Sequence, residues 1–290
     1  MIQTFINSLR AFWYFSRWLL LALLAGCGES ESSSVATATA TDTNNCSDKV
    51  LVAVASNFLA TLSELKNQFE GSALTDTGAC YQVELVAGSS GKLYAQIIAG
   101  APFDVFLSAD EERPRLLADS GLAYEPFTYA YGKLMLWTNS RPKVLHESNS
   151  EAEQIQRLVH ELQNQTTRKV AIANPRLAPY GRATIEVLTA LGLSAELESK
   201  LVFGENVGQA HAMVVTGNAD LGFTAASYLP NTPGDTVVTW SVPGNLHAPV
   251  VQQAVLLKRA ELNPGATAFV DFLASNAARE TIQGAGYGKY

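Results

Sequence analysis

The sequence predicts an α/β fold in which mostly parallel sheets are flanked by helices on both faces. Three observations carry this. Short apolar, β-branched runs alternate many times with segments whose apolar residues recur at helical spacing. The junctions between them are small or turn-forming residues such as Ala55-Ser56-Asn57 and Gly88-Ser89-Ser90-Gly91. With 290 residues, 47% of them hydrophobic, the chain has enough apolar side chain for about two ordinary domains or one large α/β domain.

Taken in order, residues 49–55 form the first strand. Phe58, Leu62, Leu65 and Phe69 then mark one face of a helix over 57–70. A strand at 81–87 leads into a helix at 92–99. A short strand at 104–107 leads into a helix at 111–119, with Pro114 in its first turn. Strands are expected at 133–138, 169–173, 201–203, 219–223, 237–241 and 250–257. Helices are expected at 152–163, 181–190, 207–216, 267–274 and 277–283. Repeated strand–helix units imply parallel pairing with crossover helices. No repeat of the solenoid kind is present.

The first 46 residues do not share this pattern. Residues 1–17 hold Arg10 and Arg17 and no acid. Nine residues without a charge follow, from Trp18 to Gly26. A basic stretch, a short apolar stretch and small residues read as a signal peptide over 1–26, too short to span a bilayer. Leu24-Ala25-Gly26-Cys27 resembles a bacterial lipobox, which implies cleavage before Cys27 and lipidation of its thiol. The alternative is an ordinary signal peptide with a chance cysteine. Residues 27–46, rich in Ser, Thr and Ala, lack any apolar period and read as a tether. A coil of about 18 residues reaches roughly 25 Å. Of the three cysteines, Cys46 and Cys80 remain, each just before an expected strand. Pairing is expected in an exported protein, and would contribute about 3–4 kcal/mol for a loop of about 35 residues. Two reduced thiols are the alternative.

Charge narrows the function. The chain has 20 Lys and Arg against 27 Asp and Glu, a net charge of -7. Loss of residues 1–26 removes two arginines and no acid, leaving -9. An acidic balance argues against a general nucleic-acid binder. The four histidines, His146, His160, His211 and His247, lack metal-ligand spacing. No nucleophile elbow, Walker loop or dinucleotide fingerprint occurs, and Gly88-Ser89-Ser90-Gly91 is one residue short of the elbow. What stands out is a set of four strand-to-helix junctions: 55–57, 88–91, 178–181 and 205–208. Each sets unpaired N–H groups, and in places small hydroxyls, at a helix N-terminus, which favours an anion. Singly each is explained by N-capping. Four of them, split between two halves of the chain, suggest one shared cleft.

The same stretches carry a family resemblance. Val52-Ala53-Val54-Ala55-Ser56-Asn57-Phe58, Ala87-Gly88-Ser89-Ser90-Gly91-Lys92-Leu93-Tyr94, Gly100-Ala101-Pro102-Phe103-Asp104-Val105-Phe106-Leu107-Ser108-Ala109-Asp110, Ala178-Pro179-Tyr180-Gly181 and Ala219-Asp220-Leu221-Gly222-Phe223 resemble the periplasmic molybdate-binding proteins of ABC importers. The resemblance covers residues 48–290. It implies the two-lobed type II periplasmic solute-binding fold, with lobe 1 formed by 47–130 and 240–290, lobe 2 by 131–239, and the ligand between them. It implies oxyanion donors at Ser56 (hydroxyl), Ser90 (hydroxyl, with Ser89 as the register alternative), Tyr180 (backbone N–H) and Val207 (backbone N–H). Many members add a tyrosine hydroxyl at the position of Ala225. A variant branch has instead an asparagine after the first hydroxyl residue, and Asn57 stands there. Molybdenum is then bound only as its oxyanion, with no direct protein ligand and no cofactor.

The implied partners are an inner-membrane molybdate permease and, through lipid on Cys27, the membrane. The implied location is the periplasm or cell surface, as a monomer without nucleic acid. The chemistry is consistent with that set: a fully deprotonated tetrahedral dianion accepts hydrogen bonds and donates none, and none of Ser56, Asn57, Ser90, Tyr180 or Val207 is acidic. Three competing expectations remain: the same fold for another oxyanion such as sulfate, a secreted hydrolase using Ser56 or Ser90, and a lipid-anchored interaction protein with an idle cleft.

Overall fold

A computed structural model describes residues 48–139, 150–233 and 237–288. Cys27, Cys46 and His146 lie outside the described residues, as do the expected signal peptide and tether. The described chain builds two five-stranded sheets. The first has the order β2-β1-β3-β10-β4, from β1 (Asp48–Ala55), β2 (Tyr81–Gly88), β3 (Val105–Leu107), β4 (Phe127–Gly132) and β10 (Val250–Leu256). The second has the order β7-β6-β8-β5-β9, from β5 (Leu134–Thr138), β6 (Val170–Ala173), β7 (Leu201–Gly204), β8 (Leu221–Ala225) and β9 (Val238–Ser241). Each sheet has three parallel strands followed by two that run antiparallel to their neighbours. The chain passes from the first sheet to the second at Lys133 and returns between β9 and β10, so the fold is two-lobed.

Burial explains why the strands read as unbroken apolar runs. Val52, Ala53 and Val54 of β1 are fully buried, because helices cover both faces. On one face lies α1 (Leu59–Thr77), whose Leu62, Leu65 and Phe69 pack, together with Phe58 just before it, on Val50, Val52 and Phe269. Phe269 belongs to α8 (Pro264–Leu273), capped by Asn263, and its ring meets Phe69 edge-on at 5.1 Å. Beside α8 runs α9 (Asn276–Gly284), capped by the Ser275 hydroxyl. On the other face, Leu93 and Ile97 of α2 (Ser90–Ile98) pack with Phe103, Phe106 and Leu117, the last from α3 (Glu112–Asp119). The second sheet is covered by α4 (Glu151–Gln163), α5 (Pro179–Ala190) and the short α6 (Ser194–Leu197) around one core, and by α7 (Val207–Val215) around another.

Among the departures from the expectations, three have a clear local reason. Strand β4 was not anticipated: Phe-Thr-Tyr-Ala-Tyr-Gly shows no clean alternation, and among the strands it pairs with β10 alone, at the sheet edge and through an irregular register, while its Tyr131 carbonyl accepts from the Gly288 N–H at 2.8 Å. Helix α1 runs on to Thr77, where Gly78 at φ +70° ends it in the left-handed conformation. Helix α5 starts at Pro179, so Tyr180 lies in its first turn and not in the preceding loop. Strands β1 and β2 are parallel with Asp48 opposite Tyr81, which puts Cys80 at the edge where β1 begins; Cys80 is disulfide-bonded.

Candidate anion site between the lobes

The C-terminal ends of β1, β2, β6 and β7 all feed helix starts, and these starts meet. A small cavity is lined by Ala55, Ser56 and Asn57 after β1, by Gly88, Ser89 and Ser90 after β2, and by Ala109 after β3. The second lobe contributes Ala178, Pro179 and Tyr180 at the start of α5, with Asn206 and Val207 at the start of α7. Every residue of the expected donor set, Ser56, Asn57, Ser90, Tyr180 and Val207, is therefore at one cavity, together with Ser89. Crevices at strand C-termini are where open α/β sheets bind ligands.

The local chemistry favours hydrogen-bond donation. Tyr180 and Val207 occupy first-turn positions, whose backbone N–H groups have no partner within their own helix. Asn206 caps α7 by accepting from the Gln209 N–H at 3.0 Å, which leaves the earlier amides of that turn unengaged by the cap. Ser90 is buried and its Oγ accepts from the Ala109 N–H at 2.9 Å, so its own proton remains to be donated. Ser89 is the sharper case. Its Oγ is buried, lines the cavity and has no hydrogen-bond partner among the described residues. A buried hydroxyl left unpaired costs about 1–3 kcal/mol, which a ligand accepting from it would relieve. No lining residue is acidic. The buried carboxylate of Asp110 follows lining residue Ala109 in sequence and is paired with Arg113.

Asn57 differs from the expectation. It lines the cavity, but one hydrogen of its amide goes to Gln252 Oε1 at 2.9 Å and the other to the Tyr287 phenol oxygen at 3.3 Å. Its amide nitrogen is thus turned into the protein in this arrangement. Ala225 carries no donor, yet Tyr228, three residues on, sends its phenol proton across the cleft to the Ser56 carbonyl at 2.7 Å. Ser227 does the same to the Asn57 carbonyl at 2.9 Å. Further contacts between the lobes are Gly91 N–H to the Leu177 carbonyl at 2.8 Å, and the exposed ion pairs Lys92–Glu205 and Arg182–Glu112. Exposed pairs of this kind contribute little each. Ser227, Tyr228, Gln252 and Tyr287 escaped the sequence reading because each joins a partner more than 160 positions away, and no local pattern marks such a contact.

Tyr228 is held by a stack of rings. His211 lies between Trp137 and Tyr228, with centroids 4.3 and 5.0 Å away and nearly parallel planes. Its ring nitrogens meet the hydroxyls of Thr224 and Thr232, both at 3.1 Å. Burial lowers the His211 pKa from 6.5 to about 4. Below pH 6.5 the unfolded chain therefore takes up a proton that the folded chain refuses. The stabilisation is complete above that range, falls as pH drops from 6.5 towards 4, and levels off below. His211→Gln is expected to make the decline of urea-unfolding stability between pH 7 and 4.5 shallower than in the parent. Identical slopes would refute this origin.

Among the described residues, no group of three or more His, Cys, Asp or Glu is placed to hold a metal ion. No described helix is long and apolar enough to cross a membrane. For the serines of the hydrolase expectation, Ser56 and Ser90, no hydrogen bond to a histidine is present among the described residues; the Ser90 Oγ meets the Ala109 N–H instead.

Comparison with known proteins gives the same picture. Residues 50–288 match the family described as bacterial extracellular solute-binding protein. The chain is 41% identical over 243 residues to the molybdate-binding protein ModA of Azotobacter vinelandii, covering 83% of this chain and 90% of that one. It is 40% identical over 242 residues to the ModA of Rhodobacter capsulatus, covering 82% and 88%. Among solved structures, the periplasmic molybdate-binding protein of Azotobacter vinelandii superposes with a TM-score of 0.70 and 37% identity, over 83% of this chain and 99% of that chain. The sulfate-binding protein SubI of Mycobacterium tuberculosis superposes at 0.65, over 83% of this chain and 86% of that one, but with 13% identity it shares the fold alone.

Proposed function

The chain belongs to the family of bacterial extracellular solute-binding proteins, and we propose that it binds molybdate, and tungstate with it, as the extracytoplasmic component of an ABC importer. One observation carries the reading. Four helix or turn starts from two lobes converge on one small cavity without an acidic side chain, and a buried hydroxyl there, Ser89 Oγ, lacks a partner among the described residues. A tetrahedral dianion accepts at every oxygen, so such a site offers what it needs: hydroxyls of Ser56, Ser89 and Ser90, and backbone N–H groups of Tyr180 and Val207. Charge-assisted hydrogen bonds are the stronger class and can hold the dianion without a lysine. The protein acts as a carrier and not a catalyst, and needs no resident cofactor.

The finer parts of the reading rest on the sequence. Residues 1–26 direct export, and lipid on Cys27 anchors a monomer at the periplasmic membrane or cell surface through the tether at 27–46. Cys46 pairs with Cys80. The loaded lobes, 47–130 with 240–290 and 131–239, present molybdate to an inner-membrane permease.

Titration calorimetry with molybdate, tungstate and sulfate tests the function. Tight molybdate and tungstate binding with far weaker sulfate binding is expected; equal or tighter sulfate binding would transfer the protein to the sulfate reading. Ser90→Ala removes a proton donor and also strands the Ala109 N–H. It is expected to weaken molybdate binding by about 1.5–3 kcal/mol, the range for a hydrogen bond to a charged group. Unchanged affinity would remove Ser90 from the donor set.

A further inference from the structure

Gln252 does not line the cavity, yet its fully buried side chain joins the two loops that do. Its Oε1 receives the Asn57 amide at 2.9 Å and lies 2.9 Å from the Tyr129 phenol. Its Nε2 donates to the Tyr180 phenol oxygen at 3.3 Å. Asn57 belongs to the first lobe's anion loop and Tyr180 to the second's, so one side chain couples them. The cluster is packed against backbone where the chain first crosses between lobes: a Cβ on Gly132 would lie 2.3 Å from the Tyr180 phenol oxygen and 2.7 Å from Gln252 Nε2.

In this arrangement both hydrogens of the Asn57 amide are engaged, and the amide keeps only Oδ1, an acceptor, for the cavity. A dianion requires the opposite. A primary amide turned over about its last torsion exchanges donor and acceptor in nearly the same space. If Gln252 and Asn57 turn together, the contacts persist with their direction reversed. Gln252 Nε2 then donates to Asn57 Oδ1 and to the Tyr129 oxygen, while Tyr129 places its proton on the Ser108 carbonyl, 3.0 Å away. The Tyr180 phenol donates to Gln252 Oε1. Tyr287 keeps its proton on the Asn57 carbonyl, now bonded at 2.7 Å, or shares it with Oδ1. Asn57 Nδ2 is freed to face the cavity. Burial pushes the phenols of Tyr129, Tyr180 and Tyr287 above their ordinary pKa, so each keeps the proton the exchange uses.

We infer that Gln252 is a positioning residue for the anion, and that a coupled reversal of the Gln252 and Asn57 amides, completed by the Tyr180 phenol, turns an Asn57 N–H onto the bound oxyanion. The inference rests on the oxyanion reading of the site.

A double-mutant cycle tests it. Molybdate affinity by calorimetry and the melting temperature of the ligand-free protein are measured for the parent, Tyr180→Phe, Asn57→Ala and the double variant, with Gln252→Leu alongside. Tyr180→Phe keeps the backbone N–H and removes the phenol, which accepts from Gln252 Nε2 before the reversal and donates to Gln252 Oε1 after it. It is expected to raise the dissociation constant about tenfold, and to add nothing once Asn57 is alanine. Gln252→Leu is expected to weaken binding at least as much as Asn57→Ala; if that variant does not fold, the Tyr180–Asn57 cycle decides alone. Full affinity in Tyr180→Phe, or additive losses in the double variant, overturns the inference while leaving the function intact. A parent protein that binds no oxyanion overturns the functional reading itself.

Discussion

Gly181→Ala is expected to reduce molybdate affinity by about 100-fold and to lower folding stability at the same time. An ideal Cβ at this position would lie 2.2 Å from the Ala173 carbonyl oxygen and 2.8–2.9 Å from the carbonyl carbons of Ala173 and Asn174. All three are backbone atoms at the end of β6, so no side-chain rotation can relieve the clash. The start of α5 must instead move outward, by more than an ångström to reach ordinary contact. Overpacking of this kind costs about 1–3 kcal/mol in stability. The same shift carries the Tyr180 N–H away from the anion, and a misplacement of about 1 Å at a preorganised site is of the order of 100-fold in effect. Calorimetry and urea unfolding on one preparation read both quantities. Parent-like affinity with parent-like stability would mean that α5 does not set the donor position.

The close approach at Gly181 also shows what was legible in advance. Ala178-Pro179-Tyr180-Gly181 announces itself locally: a proline suited to a first helical turn, followed by a residue without Cβ where helix meets strand end. Ser56-Asn57 and Gly88-Ser89-Ser90-Gly91 are equally local, because a strand-to-helix turn must be written in consecutive residues. The parallel sheets followed from strand–helix alternation, which is a short-range pattern as well. Strand β4 was hidden because an edge strand with one partner needs neither alternation nor β-branched residues.

The network behind the cavity was hidden for a different reason. Asn57 was recognisable as a polar residue at a helix start, but the direction of its amide depends on Gln252, Tyr129, Tyr180 and Tyr287, which arrive from distant strands, helices and the chain end. The site's donor inventory was therefore readable, whereas the orientation of its one amide donor was a tertiary property. Tyr228 extends the point. The phenol sought at Ala225 is absent, and a phenol three residues later grips the Ser56 carbonyl instead of lining the cavity.

Ser89→Asp is expected to abolish molybdate binding while keeping or raising the stability of the ligand-free protein. Ser89 holds the N-cap position of α2, at φ −74° and ψ 145°, but its side chain makes no capping bond. Aspartate there can accept from first-turn N–H groups and complements the helix dipole, for a gain of about 0.3–1 kcal/mol. In the ligand-free protein those N–H groups compensate the buried carboxylate. The bound dianion meets it very differently. A unit charge about 4 Å from a dianion at an effective dielectric of 20 is opposed by on the order of 8 kcal/mol, twice the value for two unit charges. No local rearrangement at a buried position, only 2% exposed, can move the carboxylate clear of that field. Ser89→Ala separates charge from mere loss of a donor, and is expected to cost only about 1.5–3 kcal/mol. Unlike Gly181→Ala, where both readouts fall together, Ser89→Asp drives them apart. An anion seated against Ser89 accounts for that divergence. Retention of parent-like molybdate affinity in Ser89→Asp would place the ligand elsewhere on the protein.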